Sequence, residues 1–129
     1  LYNVSLLNSS TTSTVQVPNT LLNEDTILSF DPGMLYVQKG FDELKPILDR
    51  TNILLINESE LRLLCNNNEA SIKQLAIGFL DLGIETVVIK QGSKGVFAMT
   101  NTEECFAEAF ECDVVDTTGA GDSFNSGFF

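Results

Sequence analysis

The sequence contains no histidine and few basic residues. Seven Lys and Arg residues stand against 18 Asp and Glu residues, so the 129-residue chain has a formal net charge of −11 at pH 7. Such a chain is poorly suited to nucleic acid or to an acidic membrane surface, because both are themselves negatively charged. The charge does not exclude ATP, since local N–H groups and a bound metal ion can override the overall field.

Long apolar runs are also missing. No stretch approaches the ~18 apolar residues of a membrane-spanning helix, and no basic segment followed by an apolar one opens the chain as a secretion signal would. The three cysteines, Cys65, Cys105 and Cys112, form no Cys-x-x-Cys pair, which argues against structural zinc and favours free thiols. These absences predict a cytoplasmic protein without a membrane partner.

The apolar residues that are present predict a single α/β domain. Short apolar runs at 27–30, 53–56 and 86–89 are typical of buried strands. Helices are predicted between them at 34–39, 41–50 and 59–65, and a further helix follows a cap at Ser71. Two antiparallel strands are expected at 96–99 and 105–110. The pattern predicts a mostly parallel central sheet flanked by helices, with a late antiparallel hairpin.

Polar or glycine-rich segments follow the predicted strands. In a parallel sheet ligands bind beyond the carboxyl ends of the strands. We therefore expect four segments to converge at one edge of the sheet, namely 31–32, 57–60, 91–95 and 119–122.

The stretch from Asp116 to the last residue carries the most specific chemistry. Small residues at Gly119, Ala120 and Gly121 leave backbone N–H groups uncovered. A helix that begins near Gly121 aims its free N–H groups and the positive end of its dipole at the same place, which makes a phosphate site. Asp122 at the rim is a candidate base for a hydroxyl that attacks phosphorus. The alternative is an ordinary turn in which Asp122 serves the helix N-terminus.

The string Asp-Thr-Thr-Gly-Ala-Gly-Asp-Ser-Phe at 116–124 resembles the C-terminal signature of the ribokinase-like carbohydrate kinases, also called the phosphofructokinase-B family. The resemblance implies a three-layer ribokinase-like domain. It also implies transfer of the γ-phosphoryl group of ATP to a hydroxyl of a sugar or nucleoside, with Asp122 as the base and Mg²⁺ as the metal ion. It covers residues 27–129 and corresponds to the middle-to-late part of a typical member. We therefore expect residues 1–129 to be a partial domain that lacks the N-terminal substrate and lid part and the C-terminal end. The face left exposed favours a homodimer.

Asn57-x-x-Glu60 resembles a second motif of these kinases. The resemblance implies that Asn57 lies near the nucleotide phosphates and that Glu60 helps to place Mg²⁺ through water. Such an arrangement suits a hard cation that keeps several waters. The alternative is helix capping, with Asn57 as the cap and Glu60 three residues later.

Three further segments resemble family elements. Lys90, Gly92, Ser93 and Gly95 match a nucleotide-contacting turn, and Lys90 stands where members often carry threonine, so that it could contact phosphate as a point charge. A plain turn at the entry to the hairpin is the alternative. Asp116 and Thr118 match positions that bind a monovalent cation such as K⁺ in many members. Asp31-Pro32 resembles an element for which we expect a structural role.

Two other functions remain open from the sequence. One is a non-catalytic ligand-binding module of the same fold, against which the intact Asp122 counts. The other is a related kinase that acts on a hydroxymethylated heterocycle, a vitamin precursor.

Overall fold

The computed structural model describes residues 25–129 and the backbone of the strand Tyr2–Ser5. The sequence predicts a strand fragment at 1–7, and the strand Tyr2–Ser5 lies within it. The other residues of that fragment lie outside the described part of the chain. A weak helical turn predicted at 20–23 lies outside it as well. The strands in chain order are β1 Tyr2–Ser5, β2 Leu28–Asp31, β3 Ile53–Asn57, β4 Thr86–Lys90, β5 Val96–Met99 and β6 Glu104–Ala107.

Within the described residues these strands form one six-stranded sheet in the order β1-β2-β3-β4-β5-β6. The first four strands are parallel, and β5 and β6 continue the sheet antiparallel. The predicted mostly parallel sheet with a late hairpin is therefore confirmed. In this sheet the carboxyl ends of β2, β3 and β4 lie side by side, with Asn57 paired in register with Lys90.

Helices connect the strands. They are α1 Gly33–Val37, α2 Phe41–Leu48, α3 Glu58–Leu64, α4 Ile72–Asp81 and α5 Ala120–Phe128, with one 3₁₀ turn at Gly92–Lys94. The predicted helices are confirmed, with bounds that differ by one or two residues. Among the described residues, none of these helices combines the length and the apolar character needed to cross a bilayer.

The last predicted strand, 105–110, is wrong in its second half. The observed strand β6 ends at Ala107, because Ala107 pairs with Val96, the first residue of β5. Residues 108–110 have no partner strand beyond that point, and they lie exposed. The sequence predicts Phe79, Phe97, Phe106 and Phe110 as core residues, and this is wrong for Phe106 and Phe110, which are 53% and 97% exposed.

Local hydrogen bonds fix where two helices begin. The Asn57 side chain accepts from the Glu60 N–H at 2.8 Å, and the Ser71 side chain accepts from the Gln74 N–H at 3.2 Å. In each helix the side chain at the third position also accepts from the N–H of the capping residue. Both are capping boxes, so the predicted cap at Ser71 is confirmed.

The core lies where the apolar strands meet the helices. Leu54 and Leu55 of β3 and Val87 and Val88 of β4 are fully buried, as expected for parallel strands that are covered on both faces. Helix α4 contributes the apolar stripe predicted from its spacing, and the buried members of that stripe are Leu75, Ala76, Phe79 and Leu80. This packing holds the carboxyl edge of the sheet in place.

Candidate active site

Three side chains from distant segments meet at the carboxyl edge of the sheet. Lys90 at the end of β4 donates from Nζ to Oδ2 of Asp31, at the end of β2, over 2.7 Å. Asn125 of α5 donates from Nδ2 to the same oxygen over 2.7 Å. Of the four segments expected to converge, only 31–32 contributes a side chain to this cluster, and Lys90 and Asn125 lie just outside the expected segments 91–95 and 119–122.

A cleft of about 620 Å³ opens beside this cluster. Its wall contains backbone from the first turn of α5 and from the turn between β4 and β5, together with apolar side chains such as Val96 and Phe124. The predicted site residues that line it are Asn57, Lys90, Gly92, Gly95, Ala120 and Gly121. The other predicted residues, Glu60, Ser93, Asp116, Thr118, Gly119 and Asp122, do not line it.

A second hollow of about 420 Å³ shares Asn57, Lys90 and Gly92 with the cleft. It adds two cations, Arg62 and Lys94. The sequence did not single out Arg62 or Lys94, because a basic residue on a short helix or in a turn is usually only a solvated side chain.

Glu58 accepts hydrogen bonds from two other residues that line this second hollow, Gln91 and Arg62. Gln91 donates from Nε2 to Oε2 of Glu58 over 3.0 Å, and the Arg62 guanidinium donates to Oε1 over 2.9 and 3.0 Å. The hydrogen bond from Gln91, followed by that from Arg62, lowers the pKa of the Glu58 carboxyl. Glu58 is therefore held as a carboxylate that orients both of its partners.

Glu60 is buried at the base of the cluster, with 6% of its surface exposed. Its Oε2 accepts from the Asn57 N–H over 3.2 Å. Burial raises the pKa of Glu60, and the nearby Asp31 carboxylate adds to this rise, while the hydrogen bond from Asn57 and the charge of Lys90 oppose it. The predicted capping role of the Asn57–Glu60 pair is thus present. The charges of Asp31 and Lys90 also act on the Glu60 carboxylate.

The turn before α5 is built around Gly119, which has φ 76° in the left-handed region. The Ala120 N–H donates to the Thr117 carbonyl over 3.1 Å, so it is engaged in the turn. The first bond of the helix runs from the Ser123 N–H to the Gly119 carbonyl over 2.9 Å. The Gly121 N–H precedes that bond and lies outside the helix's own hydrogen-bond ladder.

This first turn lies next to the ammonium group of Lys90. A Cβ atom added at Gly121 would stand 3.6 Å from Lys90 Nζ. Asp122 follows on the same turn with its side chain exposed, and its carbonyl accepts from Ser126 Oγ over 2.9 Å. The structure therefore places an ammonium group beside a helix N-terminus, with Asp122 exposed on the first turn of that helix.

Asp116 and Thr118 also come together. Oδ1 of Asp116 accepts from both the N–H and the Oγ1 of Thr118, each over 2.8 Å. These hydrogen bonds, the backbone one first, lower the pKa of the exposed Asp116 carboxyl. Among residues 25–129 no group of three or more acidic or Cys side chains is arranged to hold a metal ion.

The sequence missed Asn125 and gave Asp31 only a structural role. The local sequence contained no signal for Asn125, because it stands next to Ser126 and Gly127, where an amide is usually a solvated helix residue. Its partner, Asp31, is 94 residues away, so local spacing could not identify it.

Comparison with known proteins places the fold and the terminal motif in one family. Residues 4–129 match the pfkB family of carbohydrate kinases. The chain is 37% identical over 108 residues to an uncharacterized sugar kinase of Archaeoglobus fulgidus, covering 84% of this chain and 42% of that protein. It is 40% identical over 90 residues to a ribokinase of Haemophilus influenzae, covering 67% of this chain and 28% of that protein. The chain thus spans less than half the length of these curated relatives.

Solved structures agree. The ribokinase of Arabidopsis thaliana, complexed with ribose and ATP, superposes with a TM-score of 0.77 at 30% identity, covering 92% of this chain and 38% of that one. An E. coli protein described as a ribokinase II, in complex with ATP and Mg²⁺, superposes with a TM-score of 0.69 at 29% identity, covering 88% and 36%.

Proposed function

Since the chain belongs to the pfkB family of carbohydrate kinases, we propose that it carries the phosphoryl-transfer site of an enzyme that moves the γ-phosphoryl group of ATP to a hydroxyl of a sugar or nucleoside. One observation carries the proposal. The N-terminus of α5 opens beside the Lys90 ammonium group, 3.6 Å from the place of a Cβ at Gly121, at the carboxyl edge of a parallel sheet.

The phosphate chain lies against this region. The N-terminus of a helix and an adjacent ammonium group both attract anions, even in a protein of net negative charge. The backbone N–H groups of Gly119 and Gly121 stabilise charge on the transferred phosphoryl group, with Gly121 best placed because its N–H lies outside the helical ladder, whereas the Ala120 N–H is bonded to the Thr117 carbonyl. Each preorganised donor of this kind contributes roughly 3–4 kcal/mol in the transition state.

The nucleoside part of ATP occupies the apolar section of the cleft. Val96, Phe110 and Phe124 line it together with Gly92 and Gly95 of the polar turn. A mostly apolar wall with a few polar groups is the usual design of a cofactor site. The two solved relatives are complexes with ATP, which supports the same donor here.

Asp122 acts as the base. It lies on the exposed side of the first turn of α5, next to the loop assigned to the transferred phosphate. A carboxylate at that position accepts the proton of an incoming hydroxyl.

Glu60 and Asn57 fit a role in placing Mg²⁺ through water. A bound Mg²⁺ would neutralise charge on the phosphate oxygens. It usually keeps several waters and needs only one or two carboxylates, which suits a region whose described residues hold no larger acidic cluster. Asp116 and Thr118 present oxygens 2.8 Å apart, and we assign them to a monovalent cation such as K⁺. The homodimer and the cytoplasmic location stay predictions.

The test replaces Asp122 by Asn in the full-length protein. ADP release is measured with a panel of sugars and nucleosides, and ATP binding is measured by calorimetry. We expect turnover to fall by about 10²–10⁴-fold while ATP binding stays nearly unchanged. Asp113→Asn, an exposed acid before the same loop, is the matched control and keeps its turnover. Near-normal turnover of the Asp122 variant would remove Asp122 from the role of base, and a wild-type protein that phosphorylates no member of the panel would refute the proposed activity.

A further inference from the structure

A single carboxylate oxygen ties three distant segments of this site together. Oδ2 of Asp31 accepts one hydrogen bond from Lys90 and one from Asn125, each over 2.7 Å. The side chains of Asp31 and Lys90 are 10% and 15% exposed, and Asn125 is 2% exposed. The proposed function gives no role to either Asp31 or Asn125.

The amide of Asn125 is costly for stability. Its Oδ1 atom is buried and has no hydrogen-bond partner among the described residues. A buried acceptor without a partner destabilises the folded state, whereas an apolar side chain of similar shape would avoid that cost. The unpartnered Oδ1 offsets part of what the Nδ2 bond to Asp31 contributes, so the amide is not optimised for stability alone.

Its position on α5 indicates a further role for the amide. Asn125 lies three residues after Asp122, about one helical turn along. Its bond to Asp31 fixes how far α5 is rotated and how far its first turn stands from the edge of the sheet.

The same oxygen also holds Lys90. An ammonium group beside a helix N-terminus is unfavourable by itself, because the helix dipole is positive there. The carboxylate of Asp31 offsets this repulsion and keeps Lys90 next to Gly121. Helix α5 and Lys90, two parts of the proposed phosphate site, are thus both held by Oδ2 of Asp31.

We propose that Asp31 is a positioning residue for phosphoryl transfer, which sets the place of Asp122 through Asn125 and the place of Lys90 directly. The proposal rests on the proposed function for its kinetic consequences. Its structural part, the docking of α5 on Asp31, can be measured without any substrate.

The test uses three variants of the full-length protein: Asp31→Asn, Asn125→Asp and the double exchange Asp31→Asn/Asn125→Asp. Asp31→Asn keeps the shape but loses the charge, and Asn125→Asp brings two carboxylates together, which repel each other. The double exchange restores an amide facing a carboxylate, with donor and acceptor reversed. Asp49→Asn breaks an exposed carboxylate–lysine pair elsewhere, Lys45–Asp49 at 2.6 Å, and is the matched control.

We expect each single variant to lower kcat by about 10–100-fold, the loss that a misplacement of roughly 1 Å causes, with the KM values for ATP and acceptor changed by less than about threefold. Hydrogen exchange of the α5 amides, followed by mass spectrometry without ligand, should become about tenfold faster as local opening becomes easier. Exchange in α4 should stay unchanged, which shows that the variants are folded. The double exchange should recover most of both quantities, and Asp49→Asn should alter neither.

Two results would overturn the proposal: single variants with wild-type kcat and wild-type exchange in α5, or a double exchange no better than the worse single variant. If the exchange rates in α5 follow the expected pattern but the wild-type protein phosphorylates no acceptor, the docking of α5 on Asp31 is upheld, and the proposed function alone fails.

Discussion

Gly95 is the position where the structure makes the sharpest stability prediction. It ends the turn between β4 and β5 with φ 116° and ψ −145°, a conformation that is essentially confined to glycine. A Cβ atom at this position would stand 2.0 Å from the carbonyl oxygen of Ala107 and 2.9 Å from Cα of Glu108. Both obstacles are backbone atoms, so no side-chain rotation can relieve the clash.

The cost of Gly95→Ala follows from two contributions. Holding alanine in that conformation costs about 1–3 kcal/mol, and pushing the backbone of β6 away costs about 1–3 kcal/mol more, as other overpacked sites do. We therefore expect the free energy of unfolding to fall by roughly 2–6 kcal/mol, out of the ~5–15 kcal/mol of an ordinary domain.

Gly92, in the same turn, is the matched control. Its φ is 59°, and an added Cβ would meet nothing within 4 Å. Gly92→Ala therefore costs only the left-handed backbone penalty, about 1–2 kcal/mol. The two variants have the same composition and lie three residues apart, so a difference between them measures the close approach to Ala107.

Urea unfolding followed by circular dichroism provides the measurement, since the chain has no tryptophan to report by fluorescence. Gly92 and Gly95 both line the cleft, but only a Cβ at Gly95 displaces Ala107 of its wall, so any folded Gly95→Ala protein should bind ATP more weakly than the Gly92 variant. If Gly95→Ala costs no more than Gly92→Ala, β6 does not pack against Gly95 as described, and the shape of the cleft is wrong.

Two further predictions concern Glu60 and the helix caps. Because burial raises the pKa of Glu60 above its ordinary 4.5, the folded protein holds this proton more tightly than the unfolded chain does, and the associated stability is lost as the pH rises through the folded pKa. Glu60→Gln should therefore gain stability relative to wild type as the pH rises above 4.5; parallel stability curves for wild type and Glu60→Gln would contradict this. Asn57→Ala and Ser71→Ala each remove a capping box and should each cost about 1 kcal/mol in thermal unfolding, but only Asn57→Ala should also lower turnover. Equal turnover in both would assign Asn57 to capping alone.

Most of the fold could be predicted from the sequence because its strands and helices follow from local patterns of apolar residues. The apolar runs that became β3 and β4, and the apolar stripe of α4, are fixed by burial on known faces. The failure at 108–110 has a non-local cause. The residues have the apolar character of a strand, but the partner strand β5 begins opposite Ala107, and a ladder cannot extend past its partner.

The candidate site likewise has a part that could be predicted from local sequence and a part that could not. The motif residues from Gly119 to Asp122 could be identified because they are consecutive, and a helix N-terminus needs no distant partner to attract an anion. The partner of Lys90 could not be identified, since Asp31 is 59 residues away and nothing in the spacing of either residue indicates the other. Only the parallel order of β2, β3 and β4 brings their ends together.

The Asn57–Glu60 segment shows that a structural and a functional interpretation need not compete. From the sequence, capping and metal placement were alternatives. In the structure the capping box engages Oε2 of Glu60, yet a carboxylate has two oxygens and several lone pairs, so accepting one hydrogen bond does not exhaust it. The cap also fixes the direction of the side chain, and a fixed carboxylate holds water around a hard cation better than a mobile one. Capping is therefore a means by which Glu60 can be positioned for the proposed magnesium role, and the two alternatives become one arrangement.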